Sequence, residues 1–357
     1  MSLNSAKRVA VIPGDGIGKE VIPVAVKVLD AALHQAGLSI DWTWLDWGSD
    51  YFKVNGQMMP TDGIAQLSEF DCIFLGAIGD PEVPDDVTLW GLLMPIRREF
   101  DLFVNLRPVR QFDGVRPNVQ LPDGEHINML IVRENTEGEY SESGGRSFKG
   151  TCREFAVQND IFTRFGIERI TRFAAEAARN RRHKVTSVTK SNGIIHTMTF
   201  WDEVVAETMQ EYPDIELSKK LIDAAAAEFV TRPQEFDVVV ASNLYGDILS
   251  DLGSATVGSL GIAASANLSA DPNMPSMFEP VHGSAPDIAG SGIANPIATI
   301  WSGVMMLEHL NLNKAATSLM NAIEVSLLNP ETRTKDLRGT ASTADVEHFL
   351  LDLLNNS

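Results

Sequence analysis

Apolar residues fall along this chain in two alternating patterns. Short apolar or alternating runs at 8–12, 72–77, 184–189 and 238–241 are strand-like. Each precedes a longer stretch with helical spacing, at 19–36, 89–99, 194–211 and from Ile248 onward. Repeated alternation of this kind predicts an α/β architecture with a largely parallel sheet. Two stretches interrupt it. At 141–154 the chain reads Ser-Glu-Ser-Gly-Gly-Arg-Ser and then begins an alternating run, Thr151 to Val157, which predicts a protruding hairpin or arm. At 253–270 a Gly/Ala/Ser-rich stretch leads into Pro-rich turns, which predicts the return of the chain to the first of two lobes. Two lobes are also what 357 residues imply, being too many for one ordinary core.

Composition narrows the class. Hydrophobic residues make up 44% and charged ones 22%, and no segment reaches the roughly 18 uninterrupted apolar residues of a membrane helix, so a soluble globular protein is expected. The start, Met1 to Arg8, lacks the apolar core and cleavage site of a secretory signal. Cys72 and Cys152 show no metal or redox spacing and are expected to be reduced thiols of a cytoplasmic protein. A net charge of −19 repels phosphate backbones and anionic bilayers, which argues against nucleic acid or membrane partners. An anionic substrate would need a local nest of cations.

Five segments carry candidate chemistry. The turn Ile12-Pro-Gly-Asp-Gly-Ile-Gly-Lys-Glu20 is glycine-rich, but its GxGxG spacing and Pro13 depart from the dinucleotide fingerprint, and a tight strand-to-helix connection without ligand contact fits equally well. Arg97, Arg107 and Arg133, the last leading into Glu-Asn-Thr-Glu-Gly-Glu-Tyr140, supply guanidinium forks suited to two carboxylates; surface ion pairing is the bland alternative. Lys190 stands just past a strand, where open α/β sheets face their ligands, and can serve as a base if its pKa is lowered. In Asp237-Val-Val-Val-Ala-Ser-Asn243-Leu-Tyr-Gly-Asp247-Ile-Leu-Ser-Asp251, a buried strand is expected to open into a turn at 243–246. The following helix then sets Asp247 and Asp251 on one face. Like charges at that spacing cost helix stability unless a cation such as Mg²⁺ or Mn²⁺ lies between them; otherwise they are a negative first turn favouring the helix dipole. Finally, Phe278-Glu279-Pro-Val-His282-Gly283-Ser284-Ala285-Pro-Asp287-Ile-Ala-Gly290, continuing to Asn295, offers glycines for close approach to a cofactor, a histidine to stack or hydrogen-bond, and Asp287 to accept from a ribose hydroxyl and repel a 2′-phosphate. A plain Pro/Gly-rich surface loop is the alternative.

Taken in order, these segments resemble the β-decarboxylating dehydrogenases, the family of isocitrate, 3-isopropylmalate and D-malate or tartrate dehydrogenases. The likeness spans nearly the whole chain and is most specific in Asn-Leu-Tyr-Gly-Asp-Ile-Leu-Ser-Asp and Glu-Pro-Val-His-Gly-Ser-Ala-Pro-Asp-Ile-Ala-Gly. The resemblance implies an isopropylmalate dehydrogenase-like, non-Rossmann two-domain fold. Residues 1–102 and 258–357 would form a large cofactor-binding domain, and 103–257 a small substrate, metal and dimerisation domain with its arm around 141–157. It further implies a homodimer with shared active sites. It assigns Arg97, Arg107 and Arg133 to substrate carboxylates, Tyr140 and Lys190 to acid and base roles, and Asp247 and Asp251 to Mn²⁺ or Mg²⁺. Asp223 is implied as a catalytic and metal-site carboxylate from the partner subunit. Glu279, His282, Gly283, Ser284, Ala285, Asp287 and Asn295 are implied as the NAD contacts, since NADP-dependent members typically carry Lys-Tyr where this chain has Asp287-Ile288.

Substrate choice turns on Leu89-Trp90-Gly-Leu-Leu-Met-Pro-Ile-Arg97. Isocitrate enzymes carry Ser and Asn where this chain has Gly91 and Leu93, so the extra carboxylate of isocitrate lacks its partners. Trp90 fills the room that a branched substituent needs. A C4 hydroxy diacid, D-malate or tartrate, is therefore expected, in likeness to the tartrate dehydrogenase/decarboxylase group, which also implies K⁺. The alternative is 3-isopropylmalate, for which Leu92-Leu93 preserves part of a leucine pair. A non-catalytic regulatory subunit is the reading from another class, and the complete set of acid, base and metal residues weighs against it.

Overall fold

A computed structural model describes residues 6–356. The start Met1–Ser5, on which part of the signal-peptide reading rests, lies outside the described residues. In chain order the strands are β1 (Lys7–Gly14), β2 (Ile40–Trp44), β3 (Cys72–Ala77), β4 (Val104–Arg110), β5 (Asn128–Glu134), β6 (Gly144–Ser147), β7 (Phe155–Gln158), β8 (Lys184–Thr189), β9 (Glu216–Leu221), β10 (Val238–Ala241), β11 (Ala264–Leu268) and β12 (Ser276–Pro280).

The chain divides into two compact units. The first comprises Met1–Leu102, Gln111–Asn118 and Val257–Ser357, and the second Phe103–Arg110 and Val119–Thr256. In the first unit the strand order is β2-β1-β3-β12-β11, parallel except for the antiparallel pair β11 and β12. β3 is buried on both faces, as a parallel strand covered by helices must be. Helices Gly18–Gln35 and Ile297–His309 pack here; the second is apolar nearly all round and correspondingly buried. A core including Leu75, Leu92, Leu93, Ile96 and Phe100 packs on β1, β3 and β12.

In the second unit the order is β4-β5-β10-β8-β9, with β4 antiparallel and the rest parallel. Helices Arg164–Arg179 and Thr197–Thr208 cover β8 and β10, the first of them capped by the Thr163 hydroxyl, which accepts from Gly166 N at 2.9 Å. β6 and β7 form a separate antiparallel hairpin whose residues are all exposed, matching the arm expected from the Gly-Gly turn and alternating run.

Three expectations change in detail. The helix expected from Ile248 spans Asn243–Val257, so there is no turn at 243–246. The stretch expected as a helix at 89–99 is a π-helical turn, Leu89–Leu93, continuing into Met94–Glu99. The helix expected at 194–211 runs Thr197–Thr208 and tightens into one 3₁₀ turn. Among the described residues no helix is long and apolar enough to cross a membrane. Cys72 is buried and Cys152 exposed, and neither is in a disulfide.

Candidate active site

In the second unit β10 pairs with β5 so that Ala241 lies opposite Arg133, and after the single residue Ser242 the chain enters the Asn243–Val257 helix. That helix can approach β5 because residue 246 is glycine: a Cβ there would lie 2.6 Å from both Cβ and Cγ of Arg133. Asp247 is thereby brought to the arginines. Its Oδ1 accepts from Arg107 Nη1 at 3.2 Å and from Arg133 Nη1, and its Oδ2 accepts from the Tyr140 hydroxyl at 3.2 Å. Arg133 also donates through Nε and Nη2 to Asn243 Oδ1 at 3.0 and 2.7 Å, and its guanidinium lies 5.7 Å from the centre of the Tyr140 ring. Arg107 Nη1 donates to Ser250 Oγ at 2.6 Å and lies 3.7 Å from Asp251.

Arg107 and Arg133 are only 6% and 1% exposed, so the surface ion-pair alternative fails for both. Buried guanidinium groups need compensation, and the fork geometry supplies it here. Asp251 sits one helical turn past Asp247. Burial pushes its pKa up, with repulsion from Asp247 adding and Arg107 opposing, although its side chain remains 53% exposed to water. Two cations and two anions leave this cluster near neutral as it stands.

Lys190 directly follows β8, and Asp223 lies in the first turn of helix Ile222–Thr231 after β9. Their side chains meet at 2.7 Å, and the hydrogen bond from Lys190 is the main reason the Asp223 carboxyl titrates below its usual range. Among the described residues no three His, Cys, Asp or Glu side chains lie close enough to hold a metal. Asp223 of this chain therefore does not complete a cluster with Asp247 and Asp251.

In the first unit, Arg97 is 4% exposed and donates from Nη2 to Glu279 Oε1 at 3.0 Å, while its Nε is buried without a hydrogen-bond partner. Glu279 also accepts from Asn267 Nδ2 at 2.9 Å. Trp90 is half-buried, with the Arg98 guanidinium 4.6 Å from its ring centre. After β12 comes the His282 loop. His282 Nδ1 lies 3.0 Å from the Gly283 carbonyl, Nε2 is buried with no partner, and burial lowers the pKa of the ring, favouring the neutral form. Ala285 holds φ at +41°, Gly283 has open space around it, and Asp287 is exposed. Asn295 is engaged otherwise: Oδ1 accepts from Ile297 N at 3.0 Å, at the start of the Ile297–His309 helix, and Nδ2 donates to Asp336 at 3.1 Å.

The glycine-rich turn after β1 is explained by the same loop. Ile17 N donates to the Ser284 carbonyl at 2.8 Å, and a Cβ on Gly16, whose φ is +51°, would come 2.1 Å from that oxygen. Backbone approach to a neighbouring loop is what the glycine permits here. Glu20, not singled out in the sequence, receives the N–H groups of Gly290 and Gly292. Asp15 likewise accepts from Ser49 N, Ser49 Oγ and Gly79 N at 2.8, 2.7 and 2.9 Å. Asp15 lies in the turn and Glu20 in the first turn of the following helix, and nothing in their spacing points to partners so far along the chain.

Residues 8–350 match the family described as isocitrate/isopropylmalate dehydrogenase. The chain belongs to that family. A probable tartrate dehydrogenase/decarboxylase of Bacillus subtilis is 50% identical over 340 residues, covering 95% of each chain. The D-malate dehydrogenase (decarboxylating) of Escherichia coli is 50% identical over 355 residues, 97% of this chain and 98% of that one. The tartrate dehydrogenase/decarboxylase of Pseudomonas putida is 48% identical, covering 97% of each. Among solved structures, isocitrate dehydrogenase from Methylococcus capsulatus superposes with a TM-score of 0.89 at 34% identity, covering 98% of this chain and 99% of that one. The protein is thus an enzyme of the isocitrate/isopropylmalate dehydrogenase kind, and the fold expected from the resemblance is the one found.

Proposed function

We propose that the protein oxidises C4 2-hydroxy diacids with NAD and Mn²⁺ or Mg²⁺, converting tartrate to oxaloglycolate and D-malate to pyruvate and CO₂, and that it decarboxylates meso-tartrate to glycerate without net oxidation. The observation that carries this reading is the group formed by buried Arg107 and Arg133 with half-buried Tyr140 and Asp247. Two guanidinium groups and the carboxylates of Asp247 and Asp251 sum to zero charge, so a divalent cation there makes the site +2, matching a doubly ionised diacid. Similarity at 50% identity to enzymes named for tartrate and D-malate supports the substrate class.

When bound, the metal would supply stabilisation for negative charge on the C2 oxygen, and NAD would supply the hydride acceptor. Lys190 takes the hydroxyl proton. Arg107 and Arg133 hold the carboxylates. The resulting 3-oxo acid loses the carboxylate β to its ketone as CO₂, and Tyr140 gives a proton to the carbon left behind. The orphaned His282 Nε2, the open space at Gly283 and the exposed Asp287 suit an adenosine lacking a 2′-phosphate. Glu279, Ser284 and Ala285 shape that loop, and Asn295 acts through its cap. K⁺ enters this reading through the resemblance alone, with no ligands identified. The cytoplasm is the proposed location, on composition.

Asp247 and Asp251 need a further carboxylate, and Asp223 of a partner subunit is the proposed donor. Because Lys190 is paired with Asp223 within one chain, Lys190 then comes from the partner with it. The exposed hairpin β6–β7, with Phe148, Phe155 and Val157 each about half exposed, is the proposed dimer arm. Against 3-isopropylmalate, Leu92 and Leu93 are spent on the core at 0% and 8% exposure, leaving half-buried Trp90 in that turn.

The test is a cofactor and metal matrix. D-malate oxidation should require Mn²⁺ or Mg²⁺ after chelation and should favour NAD over NADP, and Asp287→Lys should shift that preference toward NADP by tenfold or more, on the order of the 1.4 kcal/mol for one charge contact. Full activity after exhaustive chelation, or equal use of both cofactors by the unaltered protein, would overturn it.

A further inference from the structure

The Asn243–Val257 helix begins without a side-chain cap of the ordinary kind. Ser242, fully buried, occupies the capping position, yet its hydroxyl donates outward to Glu139 Oε1 at 2.6 Å. Glu139 Oε2 accepts from the backbone N–H of Leu244 at 3.0 Å, one of the first-turn donors that the helix itself cannot satisfy. The cap is thus a carboxylate contributed by a residue over a hundred positions earlier, and its charge lies at the positive end of the helix dipole. Its position in the chain gives it a second role. Glu139 precedes Tyr140, so the carboxylate that fixes the start of the helix also anchors the segment bearing the proposed proton donor. Asn243 Nδ2 adds a parallel tie to the Glu137 carbonyl at 3.2 Å. Across this joint the Tyr140 hydroxyl meets Asp247 at 3.2 Å.

We propose that Glu139 is a positioning residue for the reaction: by bridging Ser242 and Leu244 to the Tyr140 segment, it sets Tyr140 against the metal-ligating face of Asp247 and Asp251. The inference rests on the metal reading of those aspartates. Without the bridge, the first turn of the helix and the Tyr140 segment move independently, and both the metal ligands and the acid lose their register. Supporting partners of metal ligands commonly matter by 10–100-fold in metal affinity or activity.

The test measures Mn²⁺ binding directly, by the loss of the free-ion EPR signal on titrating the apo protein, alongside kcat and the KM values for diacid and NAD. Glu139→Ala should weaken Mn²⁺ binding about tenfold or more and lower kcat, with the KM for NAD within about twofold. Glu139→Gln should restore most of the loss, because its amide oxygen still accepts from Leu244 N–H and its NH₂ can donate to a rotated Ser242 hydroxyl. Unchanged Mn²⁺ affinity in Glu139→Ala, equal damage from Gln and Ala, or a parallel rise in the KM for NAD would each overturn the proposal. Should Glu139→Ala fail to fold, Ser242→Ala removes one of the two bonds and must weaken Mn²⁺ binding about threefold or more, the low end for one lost hydrogen bond; no change overturns the proposal. Asp247→Asn separates the two claims. If it leaves Mn²⁺ affinity intact, the metal reading itself fails; if it abolishes binding while Glu139→Ala does not, only the positioning role falls.

Discussion

Gly246→Ala tests the geometry of the site with the smallest possible change. In an isolated helix this substitution is favourable by about 1 kcal/mol, because glycine is a poor helix former. Here the added methyl would sit 2.6 Å from both Cβ and Cγ of Arg133 and 3.2 Å from its Cα. Ordinary contact begins near 3.4 Å, so the helix and β5 must part by close to 1 Å. Arg133 is buried and tied to Asn243 and Asp247, so it cannot swing aside. A displacement of that size at a reacting centre costs on the order of 100-fold in kcat/KM. Gly253→Ala in the same helix is the control. Its methyl would meet Val109 Cγ2 at 2.9 Å, an apolar side chain outside the hydrogen-bonded cluster. Steady-state kinetics with D-malate and thermal melts of both variants decide the matter. The expectation is kcat/KM reduced about 100-fold for Gly246→Ala with a melting point near that of the unaltered protein, and within about threefold for Gly253→Ala. Activity of Gly246→Ala within threefold of the parent, or equal loss in both variants, would refute the reasoning.

Two further outcomes follow from the pairings in the second unit. If Lys190 and Asp223 enter the partner's site together, Lys190→Ala and Asp247→Asn, each inactive, should regain about a quarter of full activity when unfolded and reassembled at equal amounts, since half the dimers are mixed and one of their two sites is intact. Mixing Lys190→Ala with Asp223→Asn should regain nothing, and any rescue there would contradict the shared arrangement. Glu134 is fully buried, and desolvation raises its pKa to about 7 despite the hydrogen bonds it accepts from Thr136 and Glu137 N–H. A raised folded-state pKa means this group's stabilisation is present below its unfolded value and is lost as pH climbs through about 7. The melting point of the unaltered protein should therefore fall relative to Glu134→Gln between pH 5 and pH 8, a prediction that a constant difference across that range would refute.

Much of this organisation was legible in the sequence because it is local. Strand and helix alternation, the arm at 141–157 and the return of the chain after Val257 each depend on patterning or composition within a short window. The start of the Asn243–Val257 helix was not legible, because its cap is Glu139 and a turn at Asn-Leu-Tyr-Gly is the reasonable local expectation. Arg107 and Arg133 stood out as candidate carboxylate binders by residue type, but their burial depends on β4 and β5 lying side by side. Asn295, expected at the cofactor, accepts from Ile297 N at the start of a helix, a bond that its position just before Pro296 could have suggested. The pairing of Lys190 with Asp223 follows from β8 and β9 running parallel, which no spacing in the chain encodes.

The most direct measurement is a comparison of kcat/KM for D-malate, tartrate and 3-isopropylmalate, with NAD and Mn²⁺, in one preparation. A C4 diacid should be preferred by at least tenfold, with pyruvate and CO₂ formed in equal amounts from D-malate, because Trp90 occupies the turn where a branched substituent would need room and such pockets discriminate on the order of 10–200-fold. A clear preference for 3-isopropylmalate would contradict the account.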